Sequence, residues 1–388
     1  VASGIFHPEA GGPATYLHEI LPHLQARDWD VRLLTFGSGD NDYPYPVTRI
    51  PRRFLPLRYA HYAWNARREI AQADLIYAHT VDLPLVTQWR VRPHIPRMLK
   101  IVGDPTWERC IRKGWIAPNT DIDAFQQSNA QGVVAQQIAS RNHQVTAMTH
   151  IIVPSDYLKQ MVMGWGVPSE RISVIYNALP SMRAMRGEAR TQAQARQHLG
   201  LGDYPMLLTA ARLTPWKGVD HLITALQDIP NVRLFVAGDG EELPRLREMA
   251  QALGERVVFL GRLARETLYE YMQASDYFVL YSGYEGLAHT LLESLRVGTP
   301  LIASAKGGNL EVVQDGVNGF LVPYVDVDAV RQTLKKAFSH EMRPRLSANT
   351  HLGMERFTFD YMVEATDRVL RGHLRSSSSV NSPRTPVL

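Results

Sequence analysis

Short apolar runs alternate with amphipathic stretches from one end of the chain to the other. Runs suited to parallel strands buried on both faces lie at 31–36, 75–78, 98–102, 151–154 and 172–176. They resume at 206–211, 234–237, 257–260, 277–281, 301–303 and 320–322. Between them, Leu17, Ile20, Leu21 and Leu24 keep the spacing of a helix with one buried face, and Leu222, Ile223 and Leu226 do so more briefly. Strands alternating with helices predict an α/β chain with doubly wound parallel sheets, helices on both faces.

A break in this pattern sets the domain organisation. From Pro180 to Tyr204 the chain is polar and carries no strand signal, although Gln192–Leu199 suits a helix. Taking 180–204 as an interdomain connection leaves two Rossmann-like domains, at 1–179 and 205–359. A C-terminal helix at about 360–373 is expected to pack back on the first of them, and 376–388, rich in Ser and Pro, to be disordered. Only Val1–Ser3 precedes Gly4, where a strand usually has about five or six residues, so the first strand is expected to be truncated. Ligands of such sheets sit beyond the carboxyl ends of the strands, which predicts a cleft between two facing domains.

Length agrees with this division, since 388 residues correspond to two or three domains at roughly 150 residues each. A composition of 45% hydrophobic and 21% charged residues excludes a mostly disordered chain. No apolar run approaches the roughly 20 residues that span a bilayer. Cys110, the single cysteine, excludes a disulfide framework and fits a reducing cytosol, so the expected location is cytoplasmic. A net charge of +4 is too small for a generic nucleic-acid binder, and no nucleic-acid partner is expected. The charge is uneven, however: thirteen Lys and Arg face five Asp and Glu between Arg49 and Lys113. With Trp64, Trp89, Trp107 and Trp115 nearby, this segment suits an anionic membrane surface or a phosphorylated acceptor; a solvated basic face is the plainer reading.

Several familiar signals are missing. No GxxxxGK[ST] segment occurs, and Gly238-Asp239-Gly240 lacks the third glycine of a dinucleotide fingerprint. His18-Glu19 has its next histidine one position too far for a zinc helix. Asp40-Asn41-Asp42, Asp121-Ile122-Asp123 and Asp326-Val327-Asp328 match a three-residue metal pattern too short to be informative. Neither a metal nor a cofactor is expected.

The densest chemistry is Ser282-Gly283-Tyr284-Glu285-Gly286-Leu287-Ala288-His289-Thr290-Leu291-Leu292-Glu293, which follows an apolar strand and enters a helix. Read with Glu285 in the turn and Glu293 about two helical turns on, eight positions at roughly 100° each leave the carboxylates within about 80° of one another. The amides of Gly286, Leu287 and Ala288 then lie unpaired at the helix start, ready for an anion. Arg212-Leu213-Thr214-Pro215-Trp216-Lys217-Gly218, also just after a strand, supplies cations: Arg212 to fork two phosphate oxygens and Lys217 as a point charge. Gly11-Gly12-Pro13 places glycine between the first strand and first helix, where backbone can approach a ligand.

In order and spacing these pieces resemble the retaining glycosyltransferases of family 4, the group 1 enzymes of the GT-B fold. The resemblance runs through Gly11-Gly12, Arg212 with Lys217-Gly218, Gly238-Asp239-Gly240, Leu260-Gly261, the Glu285/Glu293 pair, Gly298-Thr299-Pro300, Gly307-Gly308-Asn309 and Gly316-Val317-Asn318-Gly319. It departs where Tyr281-Ser282 replaces a Pro-Ser, Asn177-Ala178 an Asn-Gly, and Ala288-His289 the Gly or Pro that follows Glu-Gly-Phe.

What the resemblance implies is a hexosyltransferase that moves a sugar from a UDP- or GDP-linked donor to a saccharide or lipid-linked acceptor hydroxyl, without a metal. Arg212 and Lys217 would grip the diphosphate, Glu285 the hydroxyls of the transferred sugar, and Glu293 the ribose. Backbone at Gly12 and at Gly286, Leu287 and Ala288 would complete the phosphate and sugar contacts, and Gly238, Arg262 and Leu263 would lie near the base. Asp104, after the strand at 98–102, stands where relatives carry a His or Asp near the acceptor; a helix cap is the competing reading. A sugar-nucleotide-binding protein or an epimerase of the same fold remains the alternative.

Overall fold

The structure, a computed structural model, describes residues 1–9, 11–39, 42–52, 54–79, 94–179, 190–339 and 341–380. Two compact units emerge, one formed by Val1–Cys110, Ser128–Tyr176 and Asp360–Leu388, the other by Ile111–Gln127 and Asn177–Phe359.

Along the first half run β1 (Ala2–Ser3), α1 (Gly12–Gln25), β2 (Leu33–Phe36), β3 (Val47–Ile50), α2 (Leu55–Gln72), β4 (Ile76–Ala78) and β5 (Arg97–Lys100). They are followed by α3 (Pro105–Arg112), α4 (Ile122–Gln126), α5 (Gly132–Thr146), β6 (His150–Val153), α6 (Asp156–Gly164) and β7 (Ile172–Val174). The first unit's seven strands are all parallel, in the order β3-β2-β1-β4-β5-β6-β7. Strand β3 has no counterpart among the predicted strands. It is an edge strand whose Thr48 and Arg49 are half-buried, so it lacks the continuous apolar run of its neighbours.

The second half continues with α7 (Gln192–His198), β8 (Met206–Ala210), α8 (Val219–Leu226), β9 (Arg233–Ala237), α9 (Leu243–Ala250), β10 (Val257–Gly261) and α10 (Arg265–Ala274). Then come β11 (Tyr277–Leu280), α11 (His289–Arg296), β12 (Leu301–Ser304), α12 (Asn309–Val312), β13 (Gly319–Val322), α13 (Val327–Ala337), α14 (Met342–Ala348) and α15 (Phe359–Val380). The second unit's parallel sheet has the order β10-β9-β8-β11-β12-β13. Every residue of β8, β11 and β12 is buried. Leu207, Val236, Val279 and Ile302 join Leu222, Ile223 and Leu226 of α8 in one core. Winding outward from β8 and then restarting at β11 creates a switch point between those two strands, the place where such sheets bind ligands.

Three boundaries differ from the predicted ones. Residues 111–127 group with the second unit, where the Lys306 ammonium reaches Asp121 and Asp123 at 2.9 Å each. The expected connection is likewise part of that unit as far as 190–204 is concerned; 180–189 lie outside the described residues. Helix α7 is fastened there by Gln192 and Arg196, which donate to Asp276 at 2.9 and 3.0 Å.

The last helix belongs to the first unit. Trp29 donates its indole N–H to Asp367 at 2.6 Å, Arg371 donates to the Arg27 carbonyl, and the His150 and His373 rings lie 4.6 Å apart. It runs to Val380, through serines where disorder was expected, while 381–388 lie outside the described residues. Extending a docked helix requires no new nucleation, which offsets the modest helix propensity of serine.

Candidate active site

At the switch point the loops following β8 and β11 are pressed together. Pro215–Lys217 forms a single 3-10 turn closed by Gly218, whose φ of 63° is left-handed; a Cβ there would sit 2.1 Å from the Tyr281 carbonyl oxygen. The Gly283 amide donates to the Trp216 carbonyl at 2.7 Å, joining the loops through backbone. Gly238 is under the same constraint, since a Cβ would meet the Ala211 carbonyl oxygen at 1.9 Å. Glycine is therefore required where the loops of three strands converge.

That convergence sets the charged groups. Lys217 Nζ lies 2.5 Å from Glu285 Oε1, both side chains largely buried. Arg212 is exposed and makes no ion pair among the described residues. Sequence reasoning assigned Lys217 and Glu285 to different parts of a ligand; the structure pairs them with each other.

The segment around Glu285 also corrects the expected helix. Helix α11 starts only at His289, with Ala288 extended before it, so Glu285 stands outside the helix and Glu293 is barely more than one turn in. The expected angle between the carboxylates therefore does not apply. Two backbone bonds explain the late start: Gly283 to Trp216, and Gly308 N–H to the Glu285 carbonyl at 2.9 Å, hold 283–285 in a non-helical path. Among the described residues the amides of Gly286, Leu287 and Ala288 donate to no backbone carbonyl, leaving a short row of donors before α11.

Glu293 is buried, and its Oε1 accepts from the Tyr269 hydroxyl at 2.9 Å and from Arg265 at 3.1 Å. Burial pushes its carboxyl above the usual range, with Arg265 and Tyr269 pulling the other way. Neither α10 residue figured among the candidates. The available signal was their i, i+4 spacing, which places them on one helix face, where Arg265 Nε also donates to the Tyr269 hydroxyl at 2.7 Å. Arg262, highly exposed, lies 3.5 Å from Asp239 and so beside the Gly238–Gly240 loop; Leu263 is half-buried next to it.

Two candidates belong to the first unit. Gly12 opens α1, and a Cβ on it would meet nothing within 4 Å. Asp104 fits the competing reading as a helix cap: it is fully buried, accepts from the Thr106 and Trp107 amides at 2.9 and 3.3 Å, and pairs with Arg141 at 2.5 Å. A carboxylate without solvent must be paired, and here it caps α3 and neutralises a buried guanidinium.

The other acidic triplets also have structural partners. Asp121 and Asp123 hold Lys306, Asp326 caps α13 through the Ala329 amide at 2.8 Å, and Asp328 pairs with Arg331 at 2.5 Å; Asp40 and Asn41 lie outside the described residues. Several cations of the basic segment are engaged within the first unit as well. Arg49 donates to the His7 carbonyl at 2.7 Å, Arg52 pairs with Glu9 at 2.5 Å, and Lys100 is buried over the Tyr16 ring.

Two parallel Rossmann-like sheets, the second with cations, carboxylates and donor amides gathered at its strand switch point, define a GT-B protein. The chain belongs to the group 1, family 4-type glycosyltransferases: the family described as "Glycosyl transferases group 1" matches residues 191–352, and "Glycosyl transferase 4-like domain" matches 11–178.

A GDP-mannose-dependent alpha-(1-6)-phosphatidylinositol monomannoside mannosyltransferase of Mycolicibacterium smegmatis is 36% identical over 36% of this chain and 40% of its own. An alpha-monoglucosyldiacylglycerol synthase of Streptococcus pneumoniae is 27% identical over 81% and 73%. The chain spans about half the length of the first curated relatives it matches. Among solved structures, HepE of Anabaena in complex with UDP-glucose superposes with a TM-score of 0.74 at 21% identity, covering 97% of this chain and 99% of that one.

Proposed function

We propose that the chain transfers a hexosyl group from a nucleoside-diphosphate sugar to an acceptor hydroxyl with retention of configuration. The single observation that carries this reading is the switch point of the second unit. There Arg212, without an ion pair among the described residues, the Lys217–Glu285 pair and the amides before α11, which meet no backbone carbonyl among those residues, surround one strand junction. In the proposed reaction the bond from the anomeric carbon to the diphosphate oxygen breaks as the acceptor oxygen bonds to the same face of that carbon. The acceptor's proton passes to the departing phosphate oxygen. Negative charge collects on the leaving diphosphate, where Arg212, Lys217 released from Glu285, and the amides of Gly286, Leu287 and Ala288 stabilise it without a metal. Glu285 then holds the transferred sugar and Glu293 the ribose.

Relatives with GDP-mannose in the name and UDP-glucose in the crystal support a sugar-nucleotide donor. Both curated relatives also bear lipid names, which supports a lipid-linked acceptor in glycolipid or surface-polysaccharide synthesis. A peripheral site on the cytoplasmic face of a membrane follows from that reading. No helix among the described residues is long and apolar enough to cross one. Helix α2 supplies a surface for such contact. Its Tyr62, Ala66 and Ile70 are buried, while Phe54 (just before it), Leu57 and Trp64 are 73%, 66% and 58% exposed, with Arg68 stacked on Trp64. An apolar stripe flanked by arginine suits an anionic interface.

Turnover tests the proposal. Incubation with UDP- and GDP-hexoses and a lipid or saccharide acceptor is expected to release nucleotide and form an α-linked product from an α-linked donor. Release of an altered free sugar would favour an epimerase, and binding without turnover a sugar-nucleotide-binding protein.

A further inference from the structure

We infer that Arg265 and Tyr269 of α10 are positioning residues that fix one oxygen of Glu293 so that the other is presented to the ribose diol of the nucleotide. This rests on the proposed role of Glu293 and adds what makes that role selective. A glutamate has three rotatable bonds and, on an open helix face, would spread its carboxylate over several positions. Here the Tyr269 hydroxyl and the Arg265 guanidinium both donate to Oε1, at 2.9 and 3.1 Å, and Arg265 Nε also donates to the Tyr269 hydroxyl at 2.7 Å. The three side chains thus form a closed triangle between α10 and α11. Among the described residues Oε2 accepts no hydrogen bond, although Glu293 as a whole is buried. Oε2 is not enclosed and so stays open to a donor from outside, and two adjacent hydroxyls of a ribose provide donors of the right kind.

The triangle also supplies the charge that burial would otherwise remove. Arg265 pulls against the burial that raises the Glu293 carboxyl, favouring the ionised form, whose Oε2 accepts more strongly than a neutral oxygen. Tyr269 restricts the rotation that Arg265 alone, on a longer and half-buried side chain, would permit. Ribose selectivity therefore depends on α10 as well as on the acidic pair after β11.

The test is a comparison of ribose with deoxyribose nucleotides. The intact chain is titrated calorimetrically with UDP and GDP and with their 2′-deoxy and 3′-deoxy forms, for the wild type, Tyr269→Phe, Arg265→Met and the conservative Arg265→Lys. The wild type is expected to prefer the ribonucleotide by about tenfold or more, the worth of one hydrogen bond to a charged oxygen. Tyr269→Phe and Arg265→Met should weaken the ribonucleotide toward deoxy affinity while leaving the deoxy affinity unchanged; Arg265→Lys should recover part of the preference. Unchanged deoxy binding shows that the site is still folded, which a merely structural role would not separate from the preference. Variants that keep the full wild-type preference would overturn the positioning role. A wild type that binds nucleotide diphosphates but ignores the missing hydroxyl would instead overturn the ribose role of Glu293, and this proposal with it.

Discussion

Because Lys217 and Glu285 are paired before any ligand arrives, removing either partner should have opposite effects on nucleotide binding. The contact is 2.5 Å, with 16% and 13% of the two side chains exposed. A hydrogen bond to a charged group contributes about 1.5–3 kcal/mol net, against about 0.5–1.5 for a neutral one. Glu285→Gln keeps the shape and removes the charge, freeing about 1 kcal/mol of competition for the ammonium, so UDP or GDP should bind about fivefold more tightly. Turnover of the sugar nucleotide should nonetheless fall roughly 10²-fold, because the variant loses the charged contact proposed between Glu285 and the transferred sugar. Lys217→Ala should weaken the nucleotide about tenfold and lower turnover about 10²-fold or more. It also leaves Glu285 without its cation in a mostly buried position, for a stability loss of about 2 kcal/mol, less than for a fully buried pair. Calorimetric titration, steady-state rates and urea unfolding separate the three effects. If Glu285→Gln weakens UDP or GDP as much as Lys217→Ala does, the competition is absent; near-normal rates in a folded Lys217→Ala protein would remove lysine from the chemistry.

Three further outcomes follow from the first unit. Asp104→Ala should cost about 3–5 kcal/mol by stranding Arg141 and uncapping α3, whereas a catalytic role would show as lost turnover at unchanged stability. Lys100, fully buried, has its pKa lowered to about 7 by burial. Its folded pKa thus lies below the unfolded one, near 10.4, so the unfolded chain holds the extra proton and stability rises with pH between about 7 and 10.4. Lys100→Met should therefore stabilise most at pH 7 and below, by a few kcal/mol, with the gain fading toward pH 10; an equal gain at every pH would contradict the assignment. Sedimentation with anionic and zwitterionic vesicles should show preference for the anionic ones, reduced several-fold in a Leu57→Ser, Trp64→Ser variant; equal recovery from both vesicle types would remove the membrane contact.

What could be read from the sequence followed from burial. Strands covered on both faces appear as unbroken apolar runs, which is why 206–211, 277–281 and 301–303 lie within a residue of β8, β11 and β12. Edge strand β3 escaped because Thr48 and Arg49 interrupt its apolar ends. Loop chemistry was legible as residue types, with Lys217, Gly218 and Glu285 in the loops of the second unit and Glu293 just over one turn into α11, but their mutual contacts were not. Helical spacing was applied to Glu285 and Glu293 across residues that tertiary hydrogen bonds keep out of the helix. Arg265 and Tyr269 act on Glu293 from a neighbouring helix, 28 and 24 positions away, a distance no local motif spans. At Asp104 a residue type suited to chemistry and to capping was decided by burial, which the local sequence does not display.

Nucleotide-sugar capture by the loops after β8 and β11 underlies every step of the proposed reaction. Calorimetric titration of the intact chain with UDP-glucose and GDP-mannose, for the wild type and for Arg212→Ala, tests this most directly. At least one donor is expected to bind in the micromolar-to-millimolar range usual for enzyme substrates, and about tenfold or more weakly once the exposed guanidinium is gone. Equal affinity in the two proteins, or no heat with either donor, would contradict it.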